Sequence, residues 1–279
     1  MKLLILQFVI LGLATAAFAD DYPYFSITTN QAIEIKQKLD AYEINASKLL
    51  DKNGYATAND MGISGIFETN RSAQEEQSRE LIGYYLGHTN DVSLKAKLLI
   101  SYCCIGFGLY SNSIDFTKQY LNIYSNDFRA WNMLGTTYLI LKSPDKAIDA
   151  YTNSVRLGYK MGYIALAGAA INDDKWDIVQ SVIPQLTDLK KVKNLSPDDK
   201  HGLVAILLSY AVRTDRKDMF VENFNELDVK DMISSWDDLK QIITYGFKQF
   251  KGADIDKIRQ EIESASPINS TNNVSGSSN

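Results

Sequence analysis

Few side chains in this sequence combine the types and spacings that acid–base, metal or nucleophilic chemistry requires. The only histidines are His88, beside Gly87 at a predicted helix end, and His201, in a predicted first helical turn. Neither has a ligand-type partner at a useful spacing, so both are expected to be surface residues without a special role. The only cysteines, Cys103 and Cys104, are adjacent in an apolar stretch, which predicts small buried side chains rather than a disulfide. The sequence therefore predicts no metal site and no cofactor.

A glycine-containing stretch over 53–70 offers the remaining candidates for catalysis. Its Gly62-Ile63-Ser64-Gly65 segment breaks the Gly-x-Ser-x-Gly spacing of a nucleophile elbow and is interpreted as a turn. Asp51-Lys52-Asn53 begins like a calcium loop, but Ala56 replaces the glycine required at the sixth position. An enzyme whose site lies under this stretch would use Asp60, Ser64 or Glu68.

Three pairs of adjacent carboxylates lie at predicted helix starts. They are Asp173-Asp174, Asp198-Asp199 and Asp237-Asp238. Negative charge is favoured at a helix N-terminus by the helix dipole and by the unpaired amides. Capping therefore explains these pairs without a glycosidase-type mechanism.

The first nineteen residues have the three parts of a secretory signal peptide. Lys2 supplies the charged start, an apolar run follows from Leu3 to Ala17, and Ala17-Phe18-Ala19 forms the cleavage site. The run is short for a bilayer core, which needs about twenty residues, so no stable membrane insertion is expected after cleavage. The ending before Asp20-Asp21 is typical of bacterial signal peptides, which favours a periplasmic or secreted bacterial protein.

The charge balance argues against two classes of partner. The chain has 29 basic and 34 acidic residues, and loss of Lys2 with the signal leaves 28 basic residues and a formal net charge of −6. Such a protein has no electrostatic reason to bind nucleic acid or anionic lipid. Glycan-acceptor tripeptides, relevant only in a eukaryotic source, occur at Asn45, Asn70, Asn194, Asn269 and Asn273.

Apolar residues recur at intervals of three and four from Asn30 onward, which predicts an all-α fold. The predicted helices cover 30–51, 72–87, 91–108, 113–124, 127–141, 144–157, 161–172, 175–188, 197–212, 215–226, 230–250 and 254–264. Ser143-Pro144 and Ser196-Pro197 are predicted helix starts, with serine as the N-cap and proline next. Short links predict antiparallel hairpins, and the polar tail over 265–279 is expected to be disordered.

The strongest repeat signal is a set of six predicted packing residues: Trp131, Leu134, Gly135, Tyr138, Ala147 and Tyr151. Their spacing resembles a tetratricopeptide repeat, whose pattern is Trp-x2-Leu-Gly-x2-Tyr in one helix and Ala-x3-Phe in the next. The resemblance is strongest over 91–157 and extends to 188; one unit upstream, Ser101 stands at the position of the glycine. It implies a TPR-like α–α superhelix over 20–264, a solenoid of five or six hairpins in which each unit covers its neighbour's apolar face.

The resemblance also implies that the first helix of each hairpin lines a concave binding surface. The predicted partner-binding residues are Lys95, Tyr102, Arg129, Asn132 and Thr136. The family's carboxylate clamp has Lys and Asn where this repeat has Asn132 and Thr136, so acidic C-terminal peptides are not the expected ligands of this surface. The leading hypothesis is an exported scaffold, not an enzyme, that holds a protein or peptide. The alternatives are a secreted factor acting on host cells or matrix, and the enzyme described above.

Overall fold

The computed structural model describes residues 96–106, 108–193, 195–226 and 237–265, with five isolated positions nearer the N-terminus. All regular structure in these ranges is helical and contains no strand, which confirms the predicted all-α class. Several predicted features lie outside the described residues: the signal peptide, Lys95, the 53–70 stretch and the tail after Ala265. Among the described residues, no helix has the length and apolar content needed to cross a membrane.

The described ranges contain ten helices, numbered here in chain order. They are α1 Ala96–Gly106, α2 Tyr110–Leu121, α3 Phe128–Ile140, α4 Pro144–Arg156, α5 Gly162–Asn172, α6 Trp176–Leu189, α7 Pro197–Arg213, α8 Lys217–Glu226, α9 Asp237–Gln249 and α10 Ala253–Ala265. The chain divides into two compact units, 1–185 and 186–279, and the division falls inside α6. The predicted N-cap of α7 is confirmed, because the Ser196 hydroxyl accepts a hydrogen bond from the Asp199 amide.

Packing in the first unit follows chain order. Helices α1 and α2 pack as a hairpin, as do α3 and α4, and each second helix contacts the first helix of the next hairpin. The first helices also contact one another, α1 with α3 and α3 with α5. Each hairpin thus covers part of its neighbour, which is the packing that repeated helical hairpins use.

Three of the links between consecutive helices share one backbone geometry. Three residues separate α3 from α4, α5 from α6 and α7 from α8, and the middle residue of each link has a positive φ: Lys142 at 55°, Asp174 at 62° and Asp215 at 56°. The amide of the following residue donates to a carbonyl five residues earlier, as from Ser143 to Tyr138 at 2.9 Å. This is the Schellman arrangement, which satisfies the last carbonyls of the first helix and usually places glycine at the left-handed position.

Replacing Lys142 with glycine should stabilise the protein by about 0.5–1 kcal/mol. A side chain at a left-handed position costs free energy that glycine does not incur, and the Lys142 side chain is exposed, so little contact is lost. Urea denaturation followed by circular dichroism measures the change. Lys142→Ala is the matched control, because alanine keeps the backbone strain while removing the same side chain. Equal stability of the two variants would show that the φ of this residue has no energetic consequence.

The α3–α4 hairpin is held together at its closest point by a glycine and a tyrosine. A Cβ atom on Gly135 would lie 2.7 Å from two ring atoms of Tyr151, whose side chain is fully buried. The Tyr151 hydroxyl lies 3.0 Å from Thr136 Oγ1, and burial raises the pKa of this phenol well above its usual value. Tyr151 is therefore a neutral packing residue with a satisfied hydroxyl.

The α1–α2 hairpin uses small hydroxyl groups at the equivalent points. Ser101 Oγ bonds to Thr117 Oγ1 at 2.5 Å across a sequence spacing of sixteen residues, the same spacing that separates Gly135 from Tyr151. Ser113 Oγ also lies 2.8 Å from Ser101 Oγ, and all three hydroxyl residues are fully buried. In both hairpins the two helices thus contact each other at corresponding positions, but through different side chains.

His201 and Asp238, both in the second unit, form a buried contact that the sequence did not predict. His201 was predicted to be a surface residue, but it is 3% exposed, and its Nε2 lies 3.1 Å from Oδ1 of Asp238, which is 2% exposed. Both residues stand near the starts of their helices, α7 and α9, which contact each other. Asp238 therefore ties α7 to α9 in addition to occupying the first turn of its own helix.

Candidate functional site

The residues predicted to bind a partner fall into two groups by exposure. Tyr102 on α1 is 36% exposed, and Asn132 and Thr136 on α3 are half-buried. Asn132 Oδ1 is buried, and no described donor lies within hydrogen-bond distance of it. A buried carbonyl oxygen without a donor is uncommon in folded proteins. The binding role predicted for these three residues stays a prediction.

Arg129 does not belong with them, and its predicted exposure is wrong. Its side chain is 2% exposed, with Nε 3.0 Å from Asp127 Oδ1 and the NH2 nitrogen 2.7 Å from Oδ2. The same carboxylate caps α3 by accepting the Arg129 amide at 2.9 Å. Because this capping carboxylate is buried, it requires a buried counter-charge, which Arg129 supplies.

Tyr120 completes the buried cluster around Asp127. Its hydroxyl donates to Asp127 Oδ2 at 2.8 Å. Burial raises the pKa of the Tyr120 phenol far above its usual value, and the nearby carboxylate of Asp127 adds to this effect. The three side chains join the end of α2 to the start of α3, and this helix junction supports the surface described next.

An open cleft of about 570 Å³ lies between α2, α3 and α4 of the first unit. It is lined by Lys118, Leu121, Asn122, Trp131, Leu134, Tyr138, Lys146, Asp149 and Ala150. The apolar residues form its floor: four are buried, and Trp131 is half-buried. The four polar residues are exposed and form its rim. A cleft of this volume, with an apolar floor and a few polar groups around it, has the character of a binding site.

Trp131 has a fixed position in this floor. Its indole Nε1 donates to the Ser125 carbonyl at 2.8 Å, in the segment that connects α2 to α3. Part of the ring remains accessible from the cleft. An aromatic side chain held in this way offers a large contact area at a small cost in conformational entropy.

Two lysines flank the Tyr138 ring at the rim. Lys118 Nζ on α2 lies 5.9 Å from the ring centroid, and Lys146 Nζ on α4 lies 5.5 Å from it. Neither lysine forms an ion pair with a described residue. Asp149 is the acidic residue of the lining, so the lining carries one net positive charge although the whole chain is acidic.

The cleft and the predicted binding residues lie on different sides of α3. At about 100° per residue, Trp131, Leu134 and Tyr138 fall on one side of the helix, whereas Asn132 and Thr136 fall on the other. Sequence reasoning interpreted the first three as packing residues and did not identify Lys118 or Lys146. The available signal was that these packing residues recur at three and four, which predicts an apolar stripe but not whether another helix covers it.

The chemistry of the described residues is otherwise sparse. No group of three or more histidine, cysteine, aspartate or glutamate side chains among them is arranged to hold a metal ion. The Cys104 thiol is fully buried within α1.

The sequence matches no protein-family model and no curated protein. The likeness to tetratricopeptide repeats therefore depends on this chain's own residues.

Proposed function

We propose that this protein is an exported, TPR-like binding module that holds a segment of another protein. The observation that carries the proposal is the open cleft over α3, with its apolar floor, its half-buried tryptophan and its charged rim. Clefts of this kind bind peptide segments by burying apolar side chains, while the polar groups at the rim fix orientation.

Two further observations support a repeat architecture as the scaffold. The Gly135–Tyr151 contact lies at the positions where the family pattern places a glycine and an aromatic residue. The three-residue links with a left-handed middle residue occur in three hairpins across both units. On this proposal the hairpins stack as a solenoid, and the signal peptide directs the protein to the periplasm or the medium.

Site-specific photocrosslinking tests the function and locates the binding surface. A photoreactive phenylalanine analogue is placed at Asn122 on the rim of the cleft, at Tyr102 on the predicted binding surface, and at Gln180 on α6 as an exposed control. With the exported fraction of the producing cells, we expect a discrete crosslinked product at Asn122 and none at Gln180. A product only at Tyr102 would keep the function and move the site to the other side of α3. Products of equal yield at all three positions, or at none, would contradict the proposal.

A further inference from the structure

We infer that the cleft over α3 binds an amphipathic segment of a partner protein that carries acidic side chains next to its apolar ones. The inference rests on the proposed binding function and specifies the chemistry of the partner. It is carried by two features of the same surface: an apolar stripe that extends beyond the cleft, and two lysines without carboxylate partners.

The apolar stripe is longer than the cleft floor. Trp131, Leu134 and Tyr138 are followed, three residues on, by Leu141 at the C-cap of α3, and Leu141 is 43% exposed. At the end of α2, Ile123 follows the rim residue Asn122 and is 64% exposed. Ile123 and Leu141 thus add exposed apolar surface just beyond the C-terminal ends of α2 and α3, two of the helices that form the cleft. An amphipathic helix or strand matches this surface by presenting apolar residues at regular intervals.

The two lysines at the rim are the reason why we expect acidic side chains on the partner. Two other lysines have carboxylate partners: Lys175 pairs with Asp145 and Asp173, and Lys217 pairs with Asp254 at 2.7 Å. Lys118 and Lys146 contact the Tyr138 ring instead, and no described carboxylate lies within ion-pair distance of either. Both ammonium groups are exposed beside an apolar surface, where a carboxylate that arrives with a bound segment would pair with them.

Lys146 also occupies a position that helix stability does not favour. It is the third residue of α4, whose first turn carries the positive end of the helix dipole. Ser143 at the N-cap makes no side-chain capping bond. A cation is unfavourable at such a position, so Lys146 does not help to start the helix. Asp145 in the same first turn already places negative charge at the helix start, so the lysine is the group there that would attract an anionic partner.

The surface differs from the carboxylate clamp of tetratricopeptide repeats in its place and in its ligand. A clamp would lie on the side of α3 that holds Asn132 and Thr136, whereas both lysines stand on the side of Tyr138. Because the lining carries only one net positive charge, attraction is short-ranged and should weaken with added salt.

Binding of two designed peptides to the full secreted chain tests the inference. Both peptides carry leucine at positions i, i+3 and i+7 and a fluorescent label; one has glutamate at the flanking positions and the other has lysine. Fluorescence anisotropy should show that the acidic peptide binds on the order of tenfold more tightly, the ratio expected for one additional ion pair in a partly desolvated site. Double substitution Lys118→Glu and Lys146→Glu should remove this preference or reverse it.

The matched control changes two lysines of the second unit. Lys248 also stands over a tyrosine ring, with Nζ 5.5 Å from the Tyr245 centroid, and Lys240 is partly exposed. Lys240→Glu with Lys248→Glu changes the net charge by the same amount outside the cleft and should leave the preference for the acidic peptide unchanged. Equal binding of the two peptides, binding of neither, or the same loss in the control would overturn the inference. A crosslinked partner at Asn122 would still support the binding function in each of these cases.

Discussion

Replacing Asp127 with alanine should lower the free energy of unfolding by about 3–5 kcal/mol, because the change breaks a buried ion pair by removing the carboxylate that binds the Arg129 guanidinium. The same carboxylate accepts bonds from the Arg129 amide, from two guanidinium nitrogens and from the Tyr120 hydroxyl, so four donors lose this acceptor at once. Urea denaturation followed by circular dichroism measures the loss, and an unchanged dependence on urea concentration would show that the folded state keeps its compactness.

A surface aspartate provides the control for Asp127. Asp237 pairs with Lys240 at 3.0 Å in the first turn of α9, but its side chain is 82% exposed. Asp237→Ala should therefore change stability by less than about 1 kcal/mol. If both substitutions had the same small effect, the Asp127–Arg129 pair would contribute as little to the free energy of unfolding as a surface pair does, in spite of its burial.

Replacing Gly135 with alanine should lower the free energy of unfolding by about 1–3 kcal/mol. The added methyl group would lie 2.7 Å from the ring of Tyr151, which is fully buried and cannot move away without displacing its neighbours. The loss should appear in the same denaturation experiment.

The chain offers a second helical glycine as the matched control. A Cβ atom on Gly168 in α5 would have no heavy atom within 4 Å. Gly168→Ala should therefore stabilise the protein by up to about 1 kcal/mol, the difference in helix propensity. Tyr151→Leu combined with Gly135→Ala should cost less than the sum of the two single changes, because the smaller side chain makes room for the methyl group. Equal effects of alanine at both glycines would show that the contact with Tyr151 does not limit the packing of this hairpin.

Most of the helices could be predicted because their signals are local in sequence. The predicted helices over 127–141 and 144–157 agree closely with α3 and α4, where apolar periodicity, an N-terminal aspartate and a Ser-Pro start coincide. Helix α2 was placed three residues late at both ends. Its first residue, Tyr110, follows Leu109, which makes no side-chain capping bond, so the sequence contains no start signal there.

Three contacts could not be predicted from the sequence, because each depends on the burial of its residues or joins residues that are distant in sequence. His201 and Asp238 are separated by 37 residues, and no spacing rule relates them. Arg129 was interpreted from its helix position alone, which carries no information on the buried carboxylate of Asp127. The two lysines converge on Tyr138 from different helices, so only the packing of α2 and α4 around α3 brings them together.

Because three of the links have the same form, helices can be removed from such a chain, or added to it, in pairs. Since Lys142 and Asp174 occupy the same step of equivalent turns, a chain joined from Lys142 directly to Lys175 would lose α4 and α5 but would keep a three-residue connection with one left-handed position. Gene duplication or deletion between such steps adds or removes two helices without creating a new type of turn. The number of helices can therefore vary during evolution while links of this type keep the same form.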